Sequence, residues 1–149
     1  MMQSNSFHFL INFVVMVIVG MAFNPMNVLA YRLSDLYISL TLFYGGLLMA
    51  ANMIWSHEII HYLTSGTINK TVFYFGIALS LIITVFLLRG QYKVSDNQWL
   101  KRMISHHSTA LTTSNKILER SNNYKLVELA KQIIDTQEKE IKMMKELIE

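Results

Sequence analysis

Residues 72–96 read VFYFGIALSLIITVFLLRGQYKVSD, and the fold turns on the change at Arg89. Residues 72–88 carry no charge and are almost wholly apolar, at the short end of the ~17–25 residues that cross a bilayer as a helix. Beyond Gly90 the pattern changes to amphipathic helix, with charges interleaved among apolar residues at helical spacing.

Working outward from this run, two more apolar stretches precede it. Residues 36–55 read LYISLTLFYGGLLMAANMIW and residues 7–23 read FHFLINFVVMVIVGMAF, broken by Asn24-Pro25. Before residue 90 the only charged residues are Arg32, Asp35, Glu58, Lys70 and Arg89. Ten basic and eight acidic residues fall in 93–149. The expectation is an all-α chain. A membrane domain, 1–92, holds three transmembrane helices at about 7–23, 36–55 and 72–88, and a soluble antiparallel helical hairpin fills 93–149. Tyr and Trp at the span ends suit the interfacial belt. A secretory signal ending at Val28-Leu29-Ala30 is the competing reading of the first span, and the absence of Lys or Arg ahead of its apolar core argues against it.

Composition excludes several function classes. The chain has no cysteine, so disulfides, thiolate metal sites and cysteine nucleophiles are ruled out. The net charge of +3 arises from alternating signs along helices rather than a basic patch, and no basic-aromatic surface motif occurs, so no nucleic-acid partner is expected. The partners expected are the lipid bilayer, a metal ion and another copy of the chain.

In the soluble half, Ser95 or Asp96 can cap a first helix running to about Arg120. Ser121-Asn122-Asn123 reads as a turn whose Asn caps a second helix running to about Leu147. The second helix shows one broad apolar stripe: Leu126, Leu129, Ala130, Ile133, Ile134, Gln137, Ile141, Met144 and Leu147/Ile148. A lone hairpin buries little surface, so it is expected to dimerise into a four-helix bundle or dock on the spans. Lys139, Lys142 and Lys145 read as a solvated face.

The chemistry-bearing residues cluster at Met103-Ile104-Ser105-His106-His107. At ~100° per residue, Met103, His106 and His107 share one wedge of the first helix, and that wedge coincides with the expected seam. Gln137, Glu140 and Met144 share a face of the second helix, with Met143 pointing elsewhere. In an antiparallel hairpin the start of one helix meets the end of the other. The expected metal site is therefore Met103, His106, His107 and Met144, with Glu140 and Gln137 auxiliary. Thioethers select soft ions such as Cu(I), imidazole accepts either copper state, and a carboxylate can orient an imidazole through its second nitrogen. The rival reading makes the Met residues core and the His residues ordinary seam positions.

A second pattern, His57-Glu58-Ile59-Ile60-His61, matches the H-E-x-x-H of zinc proteases. Such a site needs a third protein ligand, for which only His8 and Asp35 are available. The same stretch continues a Met49, Met53, His57, His61 stripe that reads either as packing or as a soft-metal path.

The runs WLKRMISHHSTALTTSNKILE (99–119) and LVELAKQIIDTQEKEIKMMKELI (126–148) resemble the domain-of-unknown-function 305 family. The matching positions are Met103, His106, His107, Gln137, Glu140, Ile141 and Met144. LYISLTLFYGGLLMAANM and Asn69-Lys70 resemble that family's membrane-anchored members. The resemblance covers about residues 35–149. It implies a ferritin-like helical domain, here a half-bundle, outside the cytoplasm, with copper binding in some members. Two positions depart from the family pattern: Ser105 stands where Pro is usual, and Thr113 where a second Met is usual. The basic residues near the span ends (Arg32, Arg89, Lys93, Lys101, Arg102) place the hairpin in the cytoplasm by the positive-inside rule; the resemblance places it outside, and is followed here.

The resulting functional expectation is a non-enzymatic, membrane-anchored copper-binding protein for storage, delivery or tolerance. The alternatives are a structural or assembly protein whose hairpin mediates oligomerisation, and an intramembrane zinc protease using residues 57–61.

Overall fold

The computed structural model describes residues 2–148, with side chains from residue 7 onward; Met1 and Glu149, the outer limits of the two predicted domains, lie outside the described residues. The described residues are all-α, without strands. The elements are α1 (Met2–Ala22), the one-turn α2 (Pro25–Val28), a 3-10 turn (Leu33–Asp35), α3 (Leu40–Ser65), α4 (Lys70–Ile82) continuing as a π-helix (Ile83–Arg89), α5 (Asp96–Arg120) and α6 (Tyr124–Ile148). They form two compact units, one of residues 1–24 and 41–93, the other of residues 25–40 and 94–149.

In the first unit, α1, α3 and α4 pack through small residues that let their backbones approach closely. A Cβ on Gly46 of α3 would lie 2.6 Å from the Val17 carbonyl oxygen of α1, and one on Gly76 of α4 would lie 2.9 Å from the Trp55 nitrogen of α3. Ala50 and Ala51 of α3 are fully buried. Gly66, at φ 73°, ends α3 in a left-handed conformation that costs glycine little. Asn69 then caps α4, its Oδ1 accepting from the Val72 amide.

Two segments, Phe7–Val28 and Lys70–Arg89, are long and apolar enough to cross a membrane. The middle predicted span, 36–55, does not join them. Its helix starts only at Leu40, residues 36–39 belonging to the second unit, and it runs on through Asn52, His57, Glu58 and His61 to Ser65. The three-span expectation is thereby reduced to two spans by composition.

In the second unit, α5 and α6 follow the expected boundaries closely. Asn123 Oδ1 accepts from the Lys125 and Leu126 amides, which satisfies the first free N–H groups of α6. Leu100, Ile104 and Leu111 of α5 form one apolar cluster with Ile141 and Met144 of α6, and Met103, Ile134 and Ile148 pack against it. The start of α5 thus lies beside the end of α6. The segment 25–40, placed by sequence in the membrane half, packs on these two helices instead. Its backbone is held by α5 side chains: Gln98 Oε1 accepts from the Leu40 amide at 2.6 Å, Ser108 Oγ accepts from the Tyr31 amide at 2.8 Å, and Thr109 Oγ1 donates to the Met26 carbonyl at 3.2 Å.

Candidate metal centre

His107 sits on the seam between α5 and α6, its side chain 13% exposed. Its Nδ1 lies 3.1 Å from Glu140 Oε2, without the alignment of a hydrogen bond. Glu140, 44% exposed, also accepts from Gln137 Nε2 at 3.2 Å, one turn earlier on α6. Burial holds the His107 imidazolium below the ordinary histidine range; the Glu140 carboxylate opposes that and His106 adds to it. Near neutral pH His107 is therefore a neutral imidazole, the form that binds metals. With Nδ1 facing the carboxylate, Nε2 is the nitrogen left to bind a metal ion.

His106 is the exposed member of the pair. Its ring centroid is 5.8 Å from that of His107, at an interplanar angle of 60°. The expected seam wedge is corrected here: His107 belongs to the seam with Leu100, Ile104 and Leu111, whereas His106 projects outward. Met103 packs against the apolar cluster from its edge, and Met144 is a buried member of it. Of the six expected site residues, His107, Glu140 and Gln137 are thus joined by direct contacts, with His106 beside them and the two thioethers in the adjoining apolar cluster. Among the described residues, no three His, Asp or Glu side chains are grouped to hold a metal ion. A site here would need the thioethers or a ligand from outside the chain. The His107 ring, the exposed second imidazole beside it and the adjoining thioethers nevertheless fit a soft-metal donor set.

A second cluster was not legible from spacing. Asp35, read as a conceivable zinc ligand, is fully buried and pairs with Lys145 Nζ at 2.6 Å. Its Oδ2 accepts from Ser108 Oγ at 2.7 Å, and its backbone carbonyl accepts from Ser105 Oγ at 2.9 Å. Lys145 therefore does not belong to a solvated face, and Ser105 takes a role that Pro could not fill. The sequence signal is only that Asp35 is one of two acids, with Glu58, in a largely apolar half. Thr113 is exposed and donates to carbonyls of its own helix, at Thr109 and Ala110.

At the H-E-x-x-H stretch, Glu58 Oε2 accepts from the Asn69 amide at 2.9 Å, and His61 Nδ1 lies 2.9 Å from the Thr67 carbonyl oxygen. Both fasten the turn between α3 and α4. His57 lines an open pocket with Phe9, Asn12 and Met53.

Comparison with known proteins gives a family. Residues 87–148 match the family described as "Domain of unknown function (DUF305)". An uncharacterized protein of Acanthamoeba polyphaga mimivirus is 35% identical over 126 residues, covering 85% of this chain and 82% of that protein. No solved structure matches the chain. On the match over residues 87–148, the chain belongs to the DUF305 family.

Proposed function

We propose that this protein is a membrane-anchored copper-binding protein, holding a soft metal ion at the His106/His107 pair for storage, delivery or tolerance. In this reading α5 and α6 are an antiparallel hairpin, half of a ferritin-like bundle, held outside the cytoplasm by the apolar helices of the first unit. His106 and His107 supply imidazole nitrogens, Met103 and Met144 supply thioethers, and Glu140 with Gln137 steer the His107 ring. The reaction class is none: the ion is cargo and no bond of a substrate is made or broken. The observation that carries the reading is a largely buried imidazole whose Nδ1 faces a carboxylate while an exposed imidazole stands beside it. Carboxylate-oriented imidazoles are the usual support of metal-bound histidine.

The test is a Cu(I) titration of the full-length protein in detergent against a competing chelator, beside the His106→Ala/His107→Ala variant. The expected result is one ion bound per chain and at least a tenfold loss of affinity in the variant, the order of effect seen when metal-site residues or their supports are removed. Equal affinity in both proteins would end the proposal. A variant of Met103 alone reports whether a thioether takes part.

A further inference from the structure

One face of the α5–α6 pair is covered by residues 25–40, and among the described residues the opposite face exposes several large apolar side chains. The covering segment reaches α5 at Ser105 and Ser108 and α6 at Glu138 and Lys145. Each of these follows a seam position by one residue: Ile104, His107, Gln137 and Met144. Stepping one residue back from the seam instead reaches the other side of each helix, ~100° away. Because the start of α5 lies by the end of α6, the backward steps on both helices fall on the same face.

That face carries two matched stripes. On α5 they are Trp99, Met103, His106, Ala110, Thr113 and Ile117. On α6, read backward, they are Leu147, Met143, Glu140, Thr136, Ile133 and Leu129. Both advance by steps of four, three, four, three and four residues, the spacing of helices that pack side by side in bundles. Large apolar side chains stand in water there: Trp99 is 50% exposed, Leu129 51%, Met143 60% and Leu147 67%.

We propose that a second copy of this chain covers this face, α5 of each copy packing antiparallel on α6 of the other, to close a four-helix bundle. The matched steps pair Trp99 with Leu147, Met103 with Met143, Ala110 with Thr136, Thr113 with Ile133, and Ile117 with Leu129. They also set His106 of each copy at Glu140 of the other, so that Glu140 stands between its own His107 and the second copy's His106. The only two ionisable groups in the stripes thus meet as unlike partners, and no like charges oppose each other. The area also fits: two 25-residue helices give a face ~37 Å long by the helical rise. At ~10 Å per helix the face covers roughly 700 Å² per copy, close to the ~800 Å² a side of a standard stable interface. Two chains anchored in one membrane meet with α5 parallel to α5, which makes every neighbouring pair in the bundle antiparallel. Only this last point rests on the membrane reading; none rests on copper.

Because the chain has no cysteine, cross-linking tests this directly. Differently tagged Ala110→Cys and Thr136→Cys chains are mixed, reconstituted in phosphatidylcholine vesicles and mildly oxidised. The expected product is a mixed disulfide dimer, with at least tenfold less from Ala110→Cys mixed with Lys131→Cys, a position off the face. Leu129→Glu and Leu147→Glu, exposed positions whose replacement leaves the seam intact, are expected to abolish the cross-link and halve the particle mass by light scattering, with helix content unchanged by circular dichroism. A protein that stays monomeric, or cross-links equally through Lys131→Cys, overturns the proposal, whether lipid or another polypeptide then covers the face. Cross-linking that persists after chelation, in a protein that fails the copper titration, separates the two proposals.

Discussion

Asp35 and Lys145, 110 positions apart, form a 2.6 Å ion pair in which the carboxylate is fully buried and the ammonium is partly open to solvent. The pair, with Ser105 and Ser108, fixes residues 25–40 to α5 and α6 together with Gln98, Thr109 and the Arg32–Glu138 ion pair. A charge in this setting is tolerated because it is both paired and hydrogen-bonded. Lys145→Met is expected to destabilise the second unit by about 3 kcal/mol, since it leaves a buried carboxylate with only the Ser108 hydroxyl. Asp35→Asn/Lys145→Met, which removes both charges, is expected to cost less than Lys145→Met alone. Denaturant unfolding of the three proteins measures the difference, and a double variant worse than the single one would contradict the account.

Ser105 makes a narrower prediction. Its buried hydroxyl donates to the Asp35 carbonyl at 2.9 Å. Ser105→Ala leaves that acceptor buried without its donor, at a cost of about 1–3 kcal/mol. Faster proteolysis within residues 25–40, with α5 and α6 intact, is the expected signature. A global loss of helix would show instead that Ser105 serves the seam.

Both cases mark where the sequence stops being legible. Helix existence, the turn at Ser121–Asn123 and the His107/Glu140 meeting follow from local spacing and caps, and the structure places them there. The docking of 25–40 does not follow, because it depends on side-chain hydroxyls meeting backbone groups some 70 positions away, which no periodicity records. By spacing alone the broad apolar stripe of α6 is also one surface. It divides into a seam, Ala130, Ile134, Ile141 and Met144, and an exposed strip holding Leu126, Leu129 and Leu147. Adjacent heptad stripes on one helix have the same spacing, so spacing alone cannot say which meets the neighbour. The same degeneracy assigned His106 to the seam. The middle span falls short because its helix starts only at Leu40 and carries Asn52, then runs past Trp55 into Ser56, His57 and Glu58.

Gly46 allows a test of the first unit. Its Cα lies so close to α1 that an added Cβ would meet the Val17 carbonyl oxygen at 2.6 Å and Met21 Cγ at 2.9 Å. Backbone atoms cannot rotate away, so Gly46→Ala is expected to force the helices apart at a cost of about 1–3 kcal/mol. In detergent this reads as a lower melting temperature of the full-length protein. Gly45→Ala, whose Cβ would meet nothing nearer than the Asn24 side-chain amide at 3.6 Å, serves as the tolerated neighbour. Equal losses at the two glycines would mean that close approach is not what Gly46 supplies.

The last prediction concerns acid. Burial lowers the pKa of His107 in the folded protein, against the opposing pull of Glu140. The unfolded chain, with an ordinary histidine value of ~6.5, then takes up the proton first. Stability from this residue is therefore complete above that value, and falls as pH drops through it towards the lower folded value. In metal-free protein the drop in melting temperature between pH 7.5 and pH 5 is expected to be larger for the native chain than for His107→Gln, which removes the titrating group. Glu140→Gln is expected to enlarge the drop, because the group that holds the folded value up is lost while burial remains. Identical acid sensitivity in the native and His107→Gln chains would show that the imidazole titrates alike in both states, and that its seat beside Glu140 does not keep it neutral.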